Sequence, residues 1–82
     1  MNKAKTENLE LGRMVRRELG RHALDSGEVT ITAHHGVVYL HGRVRPVRGH
    51  EAVFELAVSN FLKAVRQRHG VREVIAEWLA VF

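Results

Sequence analysis

Apolar residues recur at spacings of three and four in two stretches of the chain, and this periodicity predicts two amphipathic helices. The first is predicted over about residues 7–23, with an apolar face of Leu11, Met14, Val15, Leu19 and His22. The second is predicted from residues 47–50 to residue 69, with a main stripe of Val53, Leu56, Ala57, Phe61, Ala64 and Val65 and a second stripe of Phe54, Val58 and Leu62. Because this face is wider than packing on a sheet requires, we expect the second helix to contact the first.

Between the helices, apolar and polar residues alternate in two stretches, residues 28–33 and 37–44, which predicts a β-hairpin. His35 and Gly36 form the two-residue turn, since glycine readily takes the positive φ that such a turn needs. The turn predicts a register that sets Ile31 opposite Leu40 and Val29 opposite Gly42. The apolar residues of both strands then share one face, which a slip of one residue would destroy.

The last predicted strand, residues 71–81, is apolar on both sides. One side carries Val74, Ala76, Trp78 and Ala80, and the other carries Ile75, Leu79 and Val81, interrupted by Glu77. A strand of this kind is usually covered on both faces, whereas two helices cover only one. The pattern as a whole predicts an α+β fold of order αββαβ, with two helices packed on one face of a three-stranded mixed sheet.

The composition is that of one small folded domain. Apolar residues make up 45% of the 82 residues and there is a single proline, which argues against disorder. The chain has no cysteine, which excludes disulfides and thiolate chemistry. We predict a flexible N-terminal segment over residues 1–8 and one domain over residues 9–82.

The formal net charge is +4, with arginine as the main cation. A basic excess favours anionic partners such as phosphate backbones or acidic lipids, although a charge of this size is also ordinary for a soluble domain. Two lysines near the start are followed by no apolar run, so the pattern predicts neither a signal peptide nor a transmembrane helix. We therefore expect a cytoplasmic protein.

Two glycine and valine patterns resemble the signature of the BON domain family. The first is Gly36, Val38, Leu40, Gly42 and Val44, and the second is Gly70, Val71 and Val74. The predicted element order is also that family's, and the resemblance covers about residues 11–80. This chain differs in a longer second helix and in Trp78, which stands where the family generally has a smaller apolar residue.

The resemblance implies a non-catalytic binding and oligomerisation module that associates with phospholipid surfaces, small ions or protein partners. The sequence itself has no nucleophile and base in a catalytic arrangement and no phosphate-binding loop. We therefore expect no enzyme activity and no cofactor. The alternative is a small basic nucleic-acid-binding domain, although the chain lacks the Gly-x-x-Gly loop of KH-type modules.

The sheet face turned away from the helices is the candidate interface. Its predicted apolar residues are Val37, Tyr39, Ile75, Leu79 and Val81. A contiguous apolar patch marks an interaction surface, and symmetric self-association is the commonest way to cover one. We predict a homodimer, or a packing surface for another protein; the alternative is that the chain ends cover the patch.

Arg13, Arg17 and Arg21 recur every four residues on another face of the first helix. We identify them as candidate anion-binding residues for lipid headgroups or nucleic-acid phosphates. The simpler interpretation is an ordinary solvated face opposite the helix core.

The six histidines raise the question of a metal site. They are His22, His34, His35, His41, His50 and His69. In the predicted register His34 and His41 point to the same face but lie roughly 13 Å apart, whereas zinc ligands converge at about 2 Å from the metal. We predict no intramolecular metal site, and we expect His22 to pack half-buried on the helix stripe.

Overall fold

The computed structural model describes residues 3–81, with Ala4 described by its backbone only. Helix α1 is Lys3–Arg21 and helix α2 is Phe54–Arg66, which a short 3-10 turn, Glu51–Val53, precedes. The strands are β1 (Leu24–Asp25), β2 (Val29–His34), β3 (Val37–Pro46), β4 (Glu73–Ala76) and β5 (Leu79–Ala80). The predicted α+β class is confirmed.

Strand β3 is the centre of a mixed sheet. It pairs antiparallel with β1 and β2 and parallel with β4 and β5. The hydrogen bonds of β3 assign these pairs to its two edges: Arg43 N donates to Glu28 O (2.9 Å) on one edge, and Glu77 N donates to Leu40 O (2.8 Å) on the other. The prediction of three strands is thus corrected to five strands, in which β1 and β2 pair with one edge of β3 and β4 and β5 pair with the other.

On each edge of β3, the pairing strands are separated by a short interruption with a local cause. Between β1 and β2, a turn forms in which Gly27 N donates to Asp25 Oδ1 (2.8 Å) and Val29 N donates to Ser26 O (3.1 Å). Between β4 and β5, the ladder breaks over two residues, one of which, Trp78, packs its ring on Phe61 with centroids 5.7 Å apart. The single last strand predicted over residues 71–81 is therefore two separate pairings with β3.

The predicted hairpin register is confirmed. Ile31 lies opposite Leu40 and Val29 lies opposite Gly42. His35 has φ 50° and Gly36 has φ 81°, the left-handed backbone that a two-residue type I′ turn requires.

The helix bounds differ from the sequence prediction. Helix α1 begins at Lys3, inside the segment predicted to be flexible. Helix α2 is shorter than predicted, because the chain turns at Gly49 (φ 94°) before the 3-10 turn begins at Glu51. The Gly49 N–H donates to both carboxylate oxygens of Glu51 (3.0 and 3.1 Å), and hydrogen bonds from the backbone of Glu51 itself and of Gly49 hold the pKa of the Glu51 carboxyl below its ordinary value.

The core lies between the helices and one face of the sheet. Its buried apolar residues are Met14, Val15 and Leu19 of α1, Phe54, Phe61 and Val65 of α2, and Leu24, Val29, Val38, Leu40, Val44 and Val74 of the strands. Two residues of the predicted α2 stripe, Val53 and Leu56, are instead exposed. Periodicity predicts a wider buried face for α2 than the structure has, because it does not show how far the sheet extends beneath a helix.

Candidate interaction surfaces

The outer face of the sheet, opposite the helices, carries the predicted interface residues. Since Val38 and Leu40 are buried beneath the helices, their neighbours Val37 and Tyr39 point to the outer face. The parallel register sets Ile75 directly beside Tyr39. These three half-buried side chains form one apolar patch on adjacent strands.

The other two predicted interface residues lie further along this face. Leu79 pairs with Arg43 and is 62% exposed. Val81 follows β5, and its N–H donates to Val44 O (3.0 Å). The five residues thus share one face, but Leu79 is separated from the apolar patch by one cross-strand row.

Charged and aromatic groups surround the apolar patch. Glu73 pairs with Val37 at one end of β3, and Arg43 is exposed towards the other end. Between them the ring of His41 stacks on Tyr39, with centroids 6.4 Å apart and planes at 8°. The outer face therefore has opposite charges at its two ends.

The three candidate anion-binding arginines are exposed but do not converge on one site. Arg13 lines a groove between α1 and β2, whereas Arg17 lines a cleft beside the end of α2. Arg21 donates to the Glu18 carboxylate (3.0 Å), which offsets part of its charge. The arginines thus give α1 a basic outer surface and no single binding pocket.

Glu18 is a buried carboxylate that the sequence prediction missed. It is 6% exposed, and its second oxygen lies 3.5 Å from His22 Nε2. His22 is half-buried, as predicted, and its ring meets the Phe61 ring edge-on at 6.1 Å. The signal was present, since residue 18 falls on the apolar stripe and its partners follow at the helical spacings of three and four.

A second missed feature is the outer edge of β2. Arg16 of α1 donates to Ser26 O (3.3 Å) and to Val29 O (3.2 Å), the second of which lies on this edge. A groove of about 400 Å³ follows the edge between α1 and β2. Nothing in the local pattern of either element predicts this groove, because it depends on how α1 crosses the sheet.

Two of the histidines, His34 and His41, lie as the predicted register places them. His34 pairs with Val37 and His41 pairs with Thr30, while the rings of His34 and His35 approach to 4.1 Å. Within residues 3–81, no three histidine, aspartate or glutamate side chains gather closely enough to hold a metal ion. No helix in the same range has the length and apolarity needed to cross a membrane.

Neither the known protein-family models nor the curated proteins include a match to this chain. The resemblance to BON domains therefore stays a prediction that rests on the two sequence patterns.

Proposed function

We propose that this protein is a non-catalytic binding module of the BON type, which forms a homodimer through the outer face of its sheet and presents its basic helices to acidic phospholipid. The observation that carries the proposal is the apolar patch of Val37, Tyr39 and Ile75 on a sheet face that no described element covers. A sheet face of this kind marks an interaction surface.

The arrangement of the two matched sequence patterns supports the BON resemblance. The first pattern lies along the hairpin and β3, and the second leads into β4, which pairs beside it. Arg72 N donates to Gly36 O (2.7 Å), so the two patterns are in contact. Gly36 is needed there, since an added Cβ would lie 2.9 Å from Gly70 O.

The charges of the outer face favour a second copy as its partner. A two-fold axis between Tyr39 and His41 would set Glu73 of one copy near Arg43 of the other, because these residues lie at opposite ends of the patch. A surface that meets itself in this way is self-complementary. The patch is small, so we expect a weak and transient dimer.

Dimerisation through this face leaves the helices exposed on both sides of the dimer. The exposed cations of this layer include Arg13, Arg17, Lys63 and Arg66. The two helix layers of the dimer face opposite directions, so one layer meets a flat anionic membrane, where each basic residue contributes about 1 kcal/mol. The proposed dimer is therefore compatible with the proposed lipid binding, and lipid binding does not require it.

Tyr39→Glu is expected to convert the dimer to a monomer, because it places a charge in the centre of the apolar patch. Sedimentation equilibrium over micromolar to submillimolar concentrations measures the change, and Ser59→Glu, an equal charge change at an exposed α2 position, is the control. A wild-type protein that stays monomeric over the whole range, or a control that dissociates equally, would contradict the proposed dimer.

One observation favours nucleic acid as the alternative partner. The stacked rings of Tyr39 and His41 lie on the sheet surface close to the exposed Arg43. Aromatic rings on a sheet surface stack nucleobases in several RNA-binding folds. In this alternative the same face would bind a single strand rather than a second copy.

Vesicle and oligonucleotide binding distinguish the two functions. We expect the protein to cosediment with vesicles of equal phosphatidylserine and phosphatidylcholine and not with phosphatidylcholine alone. Arg13→Glu combined with Arg17→Glu is expected to weaken this binding by about tenfold or more, whereas Glu55→Gln, an exposed α2 control, retains it. Binding of a single-stranded oligonucleotide that is tighter than vesicle binding and is lost in Tyr39→Ala would support the alternative.

A further inference from the structure

The outer edge of β2 is an open sheet edge. Because Glu28 O accepts from Arg43 N, alternate residues of β2 point their peptide groups to β3, and the peptide groups of Ile31 and Ala33 point the other way. Among the described residues, β2 pairs with β3 alone. Two N–H and two C=O groups are therefore in position for a further strand.

The groove beside this edge has the shape and the lining for an extended peptide. It lies between β2 and α1 and encloses about 400 Å³. The apolar part of its lining includes Ile31 of β2 and Leu9 of α1, and Leu9 is 47% exposed. Gly12 faces the groove without any atom within 4 Å of where its Cβ would be, which leaves the space beside β2 open.

The positive charges around the groove favour an acidic partner. Lys5, Arg13 and Arg16 line it, and no carboxylate does so among the described residues. Among the described residues, Arg16 donates to two neutral carbonyl oxygens and forms no ion pair, so no carboxylate there offsets its positive charge. A second copy of β2 would place its own three cations close to these three, and like charges repel. An acidic peptide would instead neutralise them.

We propose that the β2 edge binds an extended acidic peptide by strand addition, with its backbone on Ile31 and Ala33 and its acidic side chains towards Lys5 and Arg13. Alternate residues of an added strand face the helix side, so the preferred ligand carries acidic residues at every second position. Main-chain hydrogen bonds supply affinity and the groove supplies selectivity. This site is distinct from the outer face and does not depend on the proposed dimer.

The test uses a fluorescent peptide of alternating glutamate and valine, with a lysine and valine peptide as the charge control. Ala33→Pro removes an N–H from the open edge and leaves the ladder with β3 intact. We expect this substitution to weaken binding of the glutamate peptide by about tenfold, as the loss of one hydrogen bond implies. The amide NMR signals of Ile31 and Ala33 should shift on binding, and the lysine peptide should not bind.

Gly12→Met is the second variant, since it fills the groove from a helix position that tolerates a side chain. Gly20→Met is its matched control, because Gly20 lies in the same helix, is exposed and also has no atom within 4 Å of its would-be Cβ. We expect Gly12→Met to abolish peptide binding and Gly20→Met to retain it. This pair decides the question if Ala33→Pro does not fold.

Three results would overturn the proposal. The first is equal peptide binding by Gly12→Met and Gly20→Met, and the second is equal binding of the lysine and glutamate peptides. The third is self-pairing of this edge, in which Ala33→Pro dissociates a dimer that Tyr39→Glu leaves intact. Failure of the outer-face dimer alone leaves the peptide result unchanged, so the two proposals fail separately.

Discussion

Gly42→Ala is expected to remove more than half of the free energy of unfolding. Gly42 has φ 91°, and a Cβ at this position would overlap the carbonyl oxygen of Glu28. That oxygen cannot move aside freely, because it accepts the hydrogen bond from Arg43 N. Backbone strain and loss of this bond together cost about 3 kcal/mol or more, which is a large part of the roughly 5 kcal/mol stability of a small domain.

Substitutions at two other glycines distinguish backbone strain from steric overlap as the cause of the lost stability. Gly49 has φ 94° but open space around its would-be Cβ, so Gly49→Ala should cost only the backbone strain, about 1 kcal/mol. Gly20→Ala lies in α1 with open space and should stabilise the protein by about 0.5–1 kcal/mol. Urea denaturation followed by circular dichroism measures all three. A cost for Gly42→Ala no larger than that for Gly49→Ala would show that the close approach to Glu28 is not decisive.

Phe61→Ala is expected to have an effect of similar size, about 3–5 kcal/mol. Phe61 is fully buried in α2 and contacts both the ring of Trp78 and the ring of His22. Its loss leaves a cavity between α2, α1 and the segment that joins β4 to β5. We therefore expect the C-terminal part of the sheet to loosen first.

The single tryptophan makes this prediction directly measurable. Trp78 emission should shift to longer wavelength in Phe61→Ala, since the ring that covers it is removed. Phe61→Leu keeps most of the volume and should cost less than about 1.5 kcal/mol. Leu56→Ala, a truncation of a 61% exposed residue in the same helix, should change the free energy of unfolding by less than about 0.5 kcal/mol. An equal loss in Phe61→Ala and Leu56→Ala would contradict the assigned core.

The glycine at position 42 shows where sequence and structure meet. It belongs to the pattern by which the chain resembles BON domains, and the hairpin register correctly predicts Val29 as its partner. The pattern gives no physical reason for glycine there. The reason is that the backbone of Glu28 lies very close to Gly42. Glu28 follows the turn at Ser26 and Gly27 that separates β1 from β2.

Leu56 shows that helical periodicity alone does not predict which apolar residues are buried. It continues the apolar stripe of α2, yet it is exposed, whereas Phe61 five residues later is fully buried. Both positions fit the same helical pattern. Only the position of α2 over the sheet decides which of them is covered.

The sequence by itself determined the features that depend on neighbours along the chain. These are the two helices, the His35-Gly36 turn, the hairpin register and the set of residues on the outer face, because side-chain periodicity and turn chemistry act over a few residues. The tertiary structure decided the features that join distant segments. These are the central place of β3, the split of the last strand, the buried Glu18 and the basic groove beside β2, since each depends on how elements far apart in the chain pack together.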